Sequence, residues 1–198
     1  MSKNGLLHRR AVVAELLRER GDLLVVAGLG APAWDITDAG DHPRNFPLWG
    51  AMGGAAMIGL GLALARPKNR VCVITGDGEM LMGIGALATI GVQQPKNLSL
   101  IVLDNERYGE TGMQETHTGF GVDLAAMATA AHWPSCRNVT KPAEVTELRR
   151  LVHEGKGPIF ANVKIDPERL PLVLPPSEGA YLKNRFREAL LGPDAHFV

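Results

Sequence analysis

Short apolar runs alternate with helix-like segments along almost the whole chain, and this alternation limits the possible folds more than any other feature. The clearest runs are residues 23–27, 71–75, 98–103 and 158–165, which carry mostly apolar residues on both faces. Strands of this kind need cover on both sides, which favours a parallel sheet between two layers of helices. The predicted fold class is therefore α/β with a doubly wound parallel sheet.

The segments between these runs predict the rest of the architecture. Helices are expected at residues 5–20, 51–65, 80–92, 122–132, 142–154 and about 183–191, and a short strand at 136–140. Glycine, proline and polar residues predict a turn at 28–32 and loops at 35–49 and 105–121. We interpret residues 1–170 as one domain and 171–198 as a C-terminal tail with a short helix.

Composition excludes several classes of protein. Lys plus Arg equals Asp plus Glu at 21 each, which argues against a nucleic-acid surface or binding to an acidic membrane. Cys72 and Cys136 are far apart, so neither a cysteine-ligated cluster nor a disulfide framework is expected. The longest apolar run, 51–65, is interrupted by glycines and is too short to span a bilayer. A cytoplasmic protein without a membrane or nucleic-acid partner is predicted.

Polar residues follow two neighbouring strands of the predicted sheet. Gly76-Asp77-Gly78 ends one strand, and Asn105 ends the next one, with 26 residues between Gly78 and Asn105. Because parallel strands end at the same edge, the carboxylate and the amide should lie side by side there. With one backbone carbonyl they provide part of a Mg²⁺ shell, which phosphate oxygens and water can complete. Taken alone, the first motif is equally compatible with a turn that has an Asp N-cap.

This spacing resembles the thiamine-diphosphate motif of 2-oxo acid decarboxylases, and the resemblance covers most of residues 20–170. The branch with sulfopyruvate decarboxylase beta subunits and phosphonopyruvate decarboxylase is the most similar. Asn45-Phe46 with Gly50-Ala51-Met52-Gly53 is similar to their Asn-Phe…Gly-Ser-Met-Gly stretch. Residues 108–116 resemble their loop ending in Gly-Gly-Gln-x-Thr. The implied fold is the thiamine-diphosphate-binding fold, with residues 1–170 as its diphosphate-binding domain.

The resemblance also implies roles for single residues. Asp77, Asn105 and the backbone carbonyl of Arg107 would bind Mg²⁺. Met52 would hold the cofactor in a bent conformation, and the Gly50 carbonyl would accept a hydrogen bond from its aminopyrimidine. The other residues implied at the cofactor are Gly28, Gly76, Gly78, Glu79, Tyr108 and Gly109, and the residues expected to be catalytic are His117, Gln114 and Trp34.

The implied activity is decarboxylation of a 2-oxo acid to an aldehyde and CO₂ with thiamine diphosphate and Mg²⁺. A separate pyrimidine-binding alpha-type subunit would supply the glutamate that activates the cofactor, so a hetero-oligomer is expected. A basic residue in the loop after the first strand holds the second anion of sulfopyruvate or phosphonopyruvate in the resembled branch. Trp34 stands there in this chain, which favours a less charged substrate unless Arg44, Arg107 or the partner supplies the cation.

Other interpretations remain open at this level. Gly28-Leu29-Gly30 could be half of a dinucleotide fingerprint, but the third glycine is replaced by Ala33. A carboligase or an oxidoreductase could use the same cofactor, and a doubly wound sheet could serve a non-enzymatic nucleotide-binding module. Glu79 replaces the small residue expected after Gly78, and no role for its carboxylate follows from the sequence.

Overall fold

The computed structural model describes residues 5–197 and contains the expected sheet. Its strands are β1 Leu24–Ala27, β2 Asn45–Pro47, β3 Val71–Gly76, β4 Leu98–Asp104, β5 Arg107–Tyr108, β6 Gln114–Glu115, β7 Ser135–Val139 and β8 Ile159–Lys164. Six of them form a sheet in the order β2-β1-β3-β4-β8-β7 with every neighbouring pair parallel. β5 and β6 form a separate antiparallel hairpin. The doubly wound α/β fold class is confirmed.

Helices cover both faces of the sheet. They are α1 Arg9–Leu17, α2 Ala31–Asp38, α3 Ala55–Ala65, α4 Asp77–Met82, α5 Ala86–Gln93, α6 Leu124–Ala130, α7 Pro142–Glu154 and α8 Gly179–Leu191, with 3₁₀ helices at His117–Phe120 and Gly192–His196. Successive strand residues point to opposite faces, so Cys72 and Ile74 pack with α1, α2 and α7, whereas Val71 and Val73 pack with α3, α5 and α6. Within residues 5–197, no helix is long and apolar enough to cross a membrane.

The chain reverses its direction across the sheet between β1 and β3. From β1 it passes through α2 to the edge strand β2, and then returns through α3 to β3 on the other side of β1. α2 and α3 lie on opposite faces. A crevice therefore opens beyond the carboxyl ends of β1 and β3, which is where open α/β sheets bind ligands.

Four segment predictions were wrong. Residues 35–49 are not one loop, because α2 continues through Asp38 and β2 follows. β2 is an edge strand, which tolerates Pro47, and Pro32 suits the first turn of α2 rather than a turn between elements. The predicted helix 80–92 is two helices, α4 and α5, and the predicted loop 105–121 contains the β5–β6 hairpin.

The C-terminal tail packs on the edge of the sheet. α8 begins at Gly179, earlier than expected, and the ring of Phe186 lies 5.3 Å from that of Phe46. Arg185 forms an ion pair with Asp41, with a nitrogen–oxygen distance of 2.6 Å. The division between residues 170 and 171 stays a prediction, and its outer ends, residues 1–4 and 198, lie outside the described residues.

A buried ion pair between Arg9 and Asp35 fixes α1 against α2. Nη1 of Arg9 lies 2.7 Å from both carboxylate oxygens of Asp35 and 3.3 Å from the carbonyl oxygen of Ala31. Both side chains are almost fully buried. Burial raises the pKa of Asp35 to about 6, although Arg9 and Arg10 lower it. The ionised carboxylate therefore depends on its arginine partners.

We predict that Arg9→Met strongly destabilises the chain. The change leaves the buried carboxylate of Asp35 without its main partner, so the free energy of unfolding should fall by about 3–5 kcal/mol at pH 8. Arg18→Met is the matched control, because Arg18 forms a solvent-screened surface pair with Glu15 whose loss should have little effect on stability. Urea unfolding measures both variants, and equal losses would contradict the assignment.

Candidate active site

A cavity of about 190 Å³ opens at the carboxyl ends of β1, β3 and β4. Its position is that of the crevice between β1 and β3, where the order of strands reverses. The cavity collects most of the residues predicted at the cofactor: Met52, Gly76, Asp77, Gly78, Glu79, Asn105, Arg107, Tyr108 and Gly109. Leu29, Ala31 and Pro32 line its other side, at the start of α2.

Asp77 lies directly after β3 and is 1% exposed. The register of the sheet pairs Gly76 with Leu103, so Asp77 and Asn105 follow neighbouring strand ends. Burial raises the pKa of Asp77 to about 6; the hydrogen bond from Thr116 lowers it and the nearby Asp104 raises it further. A carboxylate in this position is costly without a cation beside it.

Asn105 brings the backbone of Arg107 to the same place. The side-chain oxygen of Asn105 accepts a hydrogen bond of 3.0 Å from the backbone N–H of Arg107, which closes a tight turn. The guanidinium of Arg107 donates to the carbonyl oxygen of Glu106 at 2.9 Å and pairs with Glu115 at 3.0 Å. One carboxylate, one amide oxygen and one carbonyl oxygen thus come from adjacent turns.

This donor set suits a hard cation that shares its shell with a phosphate. Mg²⁺ takes oxygen ligands and is commonly held by one or two carboxylates together with substrate phosphates and water. No group of three or more His, Cys, Asp or Glu side chains that could hold a metal occurs among the described residues. A site for a zinc-like ion is therefore not found in that part of the chain, whereas the oxygen set of Asp77 and Asn105 fits Mg²⁺.

Gly78 allows an aromatic ring to pack on the start of α4. A Cβ atom at Gly78 would lie 2.6 Å from a ring carbon of Tyr108. The backbone N–H groups of Gly78 and Glu79 lie in the first turn of α4, where they have no partner within the helix. They are free to bind an anion in the cavity.

The side chain of Glu79 connects two loops at the cavity. Its Oε2 accepts a hydrogen bond of 3.0 Å from the backbone N–H of Leu29, and the residue is 4% exposed. A Cβ atom at Gly28 would lie 1.8 Å from this oxygen and 2.8 Å from Oγ1 of Thr75. Burial raises the pKa of Glu79, and backbone hydrogen bonds to its carboxylate, including the one from Leu29, oppose the shift. The carboxylate that had no role in the sequence therefore fixes the β1–α2 loop to α4.

Five of the predicted residues are not part of the cavity wall. Trp34 is half-buried in α2 and packs against the hydrophobic core. His117 and Gln114 are exposed on the segment that follows the hairpin and on the hairpin itself. Gly28 lies behind Glu79, and Gly50 is exposed in the turn before α3. Roles of these residues in binding or catalysis stay predictions.

Sequence reasoning gave no site role to several residues at or beside the cavity, and four of them carry its buried polar contacts. Arg9 lines it from the start of α1. Thr116, Thr118 and Asp104 are buried, and both threonine hydroxyls bind the carboxylate of Asp77. The alternating pattern Thr116-His117-Thr118 was the available signal, because it brings two hydroxyls close together in a segment predicted as solvated loop.

Comparison with solved structures defines the class of fold. Benzoylformate decarboxylase from Polynucleobacter necessarius superposes with a TM-score of 0.69 at 21% identity, covering 84% of this chain and 34% of that chain. The chain thus spans about a third of that enzyme. A structure from Mycobacterium smegmatis described as a thiamin diphosphate-dependent enzyme has the same fold, with a TM-score of 0.69 at 21% identity over 82% of this chain and 32% of that chain.

The family follows from the sequence match. Residues 33–163 match the family model described as thiamine pyrophosphate enzyme, C-terminal TPP binding domain, and the chain belongs to this family. Sulfopyruvate decarboxylase subunit beta of Methanocaldococcus jannaschii is 35% identical over 84% of this chain and 88% of its own length. Phosphonopyruvate decarboxylase of Streptomyces viridochromogenes is 35% identical over 93% of this chain, which spans 45% of that protein. The resemblance inferred from the motifs is confirmed.

We predict that Gly28→Ala destabilises the chain by displacing Glu79. The new Cβ would occupy the place of the Glu79 carboxylate, and overpacking of this kind costs about 1–3 kcal/mol. Gly50→Ala is the control, because no atom lies within 4 Å of its added Cβ. Chemical denaturation of the chain without cofactor measures both.

Measuring Gly28→Ala in a Glu79→Ala chain separates the clash with Glu79 from any other effect of alanine at position 28. In a Glu79→Ala chain the obstacle is absent, so Gly28→Ala should then cost less than it does in the wild type. If the loss is the same in both backgrounds, Glu79 is not the residue that requires glycine at position 28.

Proposed function

We propose that this chain is the diphosphate-binding subunit of a Mg²⁺- and thiamine-diphosphate-dependent decarboxylase that acts on a 2-oxo acid with a second strong anion. The observation that carries the proposal is the meeting of Asp77 and Asn105 in the cavity at the switch point. At the coarser level, the relatives and the matched family make the chain a thiamine-diphosphate-dependent decarboxylase of the beta-subunit type.

The residues of the cavity fit the two ends of the cofactor. Asp77, Asn105 and the carbonyl oxygen of Arg107 would bind Mg²⁺, and the free N–H groups of Gly78 and Glu79 would bind the diphosphate. Met52 is 38% exposed in the turn before α3 and lines the cavity, where it would support the rings. Bound thiamine diphosphate supplies the electron sink for the electron pair left when CO₂ departs.

The proposed partner is a separate pyrimidine-binding alpha-type subunit. Support comes from the name of the Methanocaldococcus relative, a beta subunit that this chain covers over 88% of its length. The longer phosphonopyruvate decarboxylase, of which this chain spans 45%, has room for both parts in one polypeptide. The partner would contribute the glutamate that activates the cofactor.

The proposed substrate class combines a 2-oxo acid with a sulfonate- or phosphonate-like tail. Two relatives are named for substrates of this chemistry. Arg9 and Arg107 line the cavity, but Asp35 and Glu115 pair with their guanidinium groups, so the support for a second anion comes from the named relatives and not from these charges. Trp34 packs against the core, so its apolar side chain is a weak argument for an uncharged substrate.

We predict that Asp77→Ala and Asn105→Ala each weaken Mg²⁺-dependent binding of thiamine diphosphate by about a hundredfold or more, about 2.7 kcal/mol. Each change removes one of few protein oxygens from the cation. Asp22→Ala is the control, because Asp22 is exposed and precedes β1, at the end of the strand opposite the cavity. Calorimetry with the chain and its partner measures the affinity, and wild-type affinity in both variants would show that the site is wrongly assigned.

We predict that the chain alone releases no CO₂ above background and that the assembled enzyme prefers dianionic acids. The ratio of kcat/KM for sulfopyruvate or phosphonopyruvate over 2-oxobutyrate should be about tenfold or more, about 1.4 kcal/mol in the transition state. Trp34→Phe should leave this ratio unchanged. A ratio near one, or turnover by the chain alone, would contradict the proposal.

The carboligase and oxidoreductase alternatives differ in product. The same assay should detect an aldehyde in amounts equal to CO₂ if the enzyme is a simple decarboxylase. Ligated products or reduced acceptors would assign the chain to one of the alternatives, and a chain that binds no cofactor at all would favour a non-enzymatic module.

A further inference from the structure

Two buried carboxylates lie at neighbouring strand ends and share one threonine. Oγ1 of Thr118 lies 2.7 Å from Oδ1 of Asp104 and 3.2 Å from Oδ2 of Asp77. Thr116 also donates to Oδ2 of Asp77, and the two hydroxyls lie 2.9 Å apart. Asp104 is fully buried, and the two threonines are at most 4% exposed.

Asp104 is already saturated by protein groups. Its Oδ1 also accepts a hydrogen bond of 3.1 Å from the backbone N–H of Glu106. Its Oδ2 accepts one of 2.9 Å from the side-chain amide of Asn162 and lies 2.8 Å from Nζ of Lys164. Burial lowers the pKa of Lys164, but its bonds to Asp104 and Glu106 raise it by more. The pKa is therefore above its ordinary value, and the amine stays charged. Asp104 is thus suited to anchor Thr118 rather than to bind a ligand.

Asp77 differs from Asp104 in the distribution of its bonds. Thr116 donates its proton to Oδ2, and the Thr118 hydroxyl, whose single proton is shared between Asp104 at 2.7 Å and Asp77 at 3.2 Å, faces the same oxygen, while Asp77 lines the cavity. A hydroxyl bond to one carboxylate oxygen fixes the plane of the group and leaves the other oxygen for a cation. Removal of a group that hydrogen-bonds to a metal ligand commonly lowers metal affinity by about 10–100-fold.

We propose that Thr118 and Thr116 are positioning residues of the metal site, which hold Oδ2 of Asp77 so that Oδ1 is offered to Mg²⁺. Asp104, Asn162 and Lys164 fix Thr118 in turn, so the segment after the hairpin sets the orientation of a ligand at the end of β3. This inference rests on the proposed function, because it presupposes a cation at Asp77.

The test compares the metal requirement of hydroxyl-free and hydroxyl-bearing variants. Thr118→Val and Thr116→Val remove one hydroxyl each at nearly constant volume, and Thr118→Ser keeps it. Thr89→Val is the control, since Thr89 is exposed on α5 and bonds only to its own helix. Binding of thiamine diphosphate to the assembled enzyme is titrated with Mg²⁺ and, separately, with Mn²⁺, and the apo chain is unfolded by heat.

The expected result is a shift in metal concentration without a matching loss of cofactor affinity. Each Val variant should raise the half-saturating Mg²⁺ concentration about tenfold or more. Thr118→Ser and Thr89→Val should stay near wild type, and saturating metal should restore cofactor binding in all variants. If Thr118→Val does not fold, Thr116→Val tests the inference alone. Among the described residues, the hydroxyl of Thr116 contacts Asp77 and Thr118, so its removal disturbs few other groups.

Two failures are distinguishable. If the Val variants lower the unfolding temperature but leave the metal requirement unchanged, the threonines only stabilise the loop and the inference is overturned. If the wild-type assembly binds no thiamine diphosphate at any metal concentration, the proposed function fails, and this inference fails with it.

Discussion

The carboxylate of Asp77 is kept out of water at the end of a central strand, and much of the site compensates for that burial. Burial raises the pKa of this group to about 6, and the neighbouring Asp104 also disfavours its charge. The hydroxyls of Thr116 and Thr118 lie against one oxygen of Asp77, and the ammonium group of Lys164 pairs with Asp104. The negative charge of Asp77 that faces the cavity has no cation beside it among the described residues. A divalent cation bound there would offset the free-energy cost of burying this charge.

Two side-chain bridges hold the walls of the cavity in place. Glu79 connects the start of α4 to Leu29 in the loop after β1, and Thr118 connects the ends of β3 and β4. Neither bridge belongs to the backbone hydrogen bonding of the sheet, so both depend on residue identity. Gly28 illustrates the dependence, because the Glu79 carboxylate fills the space that a side chain there would need.

The parts of the site that were predictable from sequence are those fixed by local strand order. Asp77 and Asn105 follow consecutive strands that pair in parallel, so their proximity requires only the strand assignment and the register. The threonine bridge was not predictable, because the course of residues 105–121 is set by tertiary contacts with Asp77 and Asp104. The position of Trp34 was not predictable for the same reason. The segment after β1 was expected to be a loop but forms α2, and the packing of α2 places the indole against the hydrophobic core.

The charges around the cavity explain why metal and diphosphate should bind together rather than in sequence. Asp77, Glu79 and Glu110 line the cavity and repel a diphosphate that arrives without a cation. A cation alone meets one carboxylate and one amide side chain, which leaves most of its shell to water. Each ligand supplies what the other lacks, so each must raise the affinity for the other by the same factor. If Asp77 and Asn105 bind Mg²⁺ as proposed, this low number of protein ligands would make occupation by a free divalent ion weak and occupation by the metal–diphosphate pair favourable.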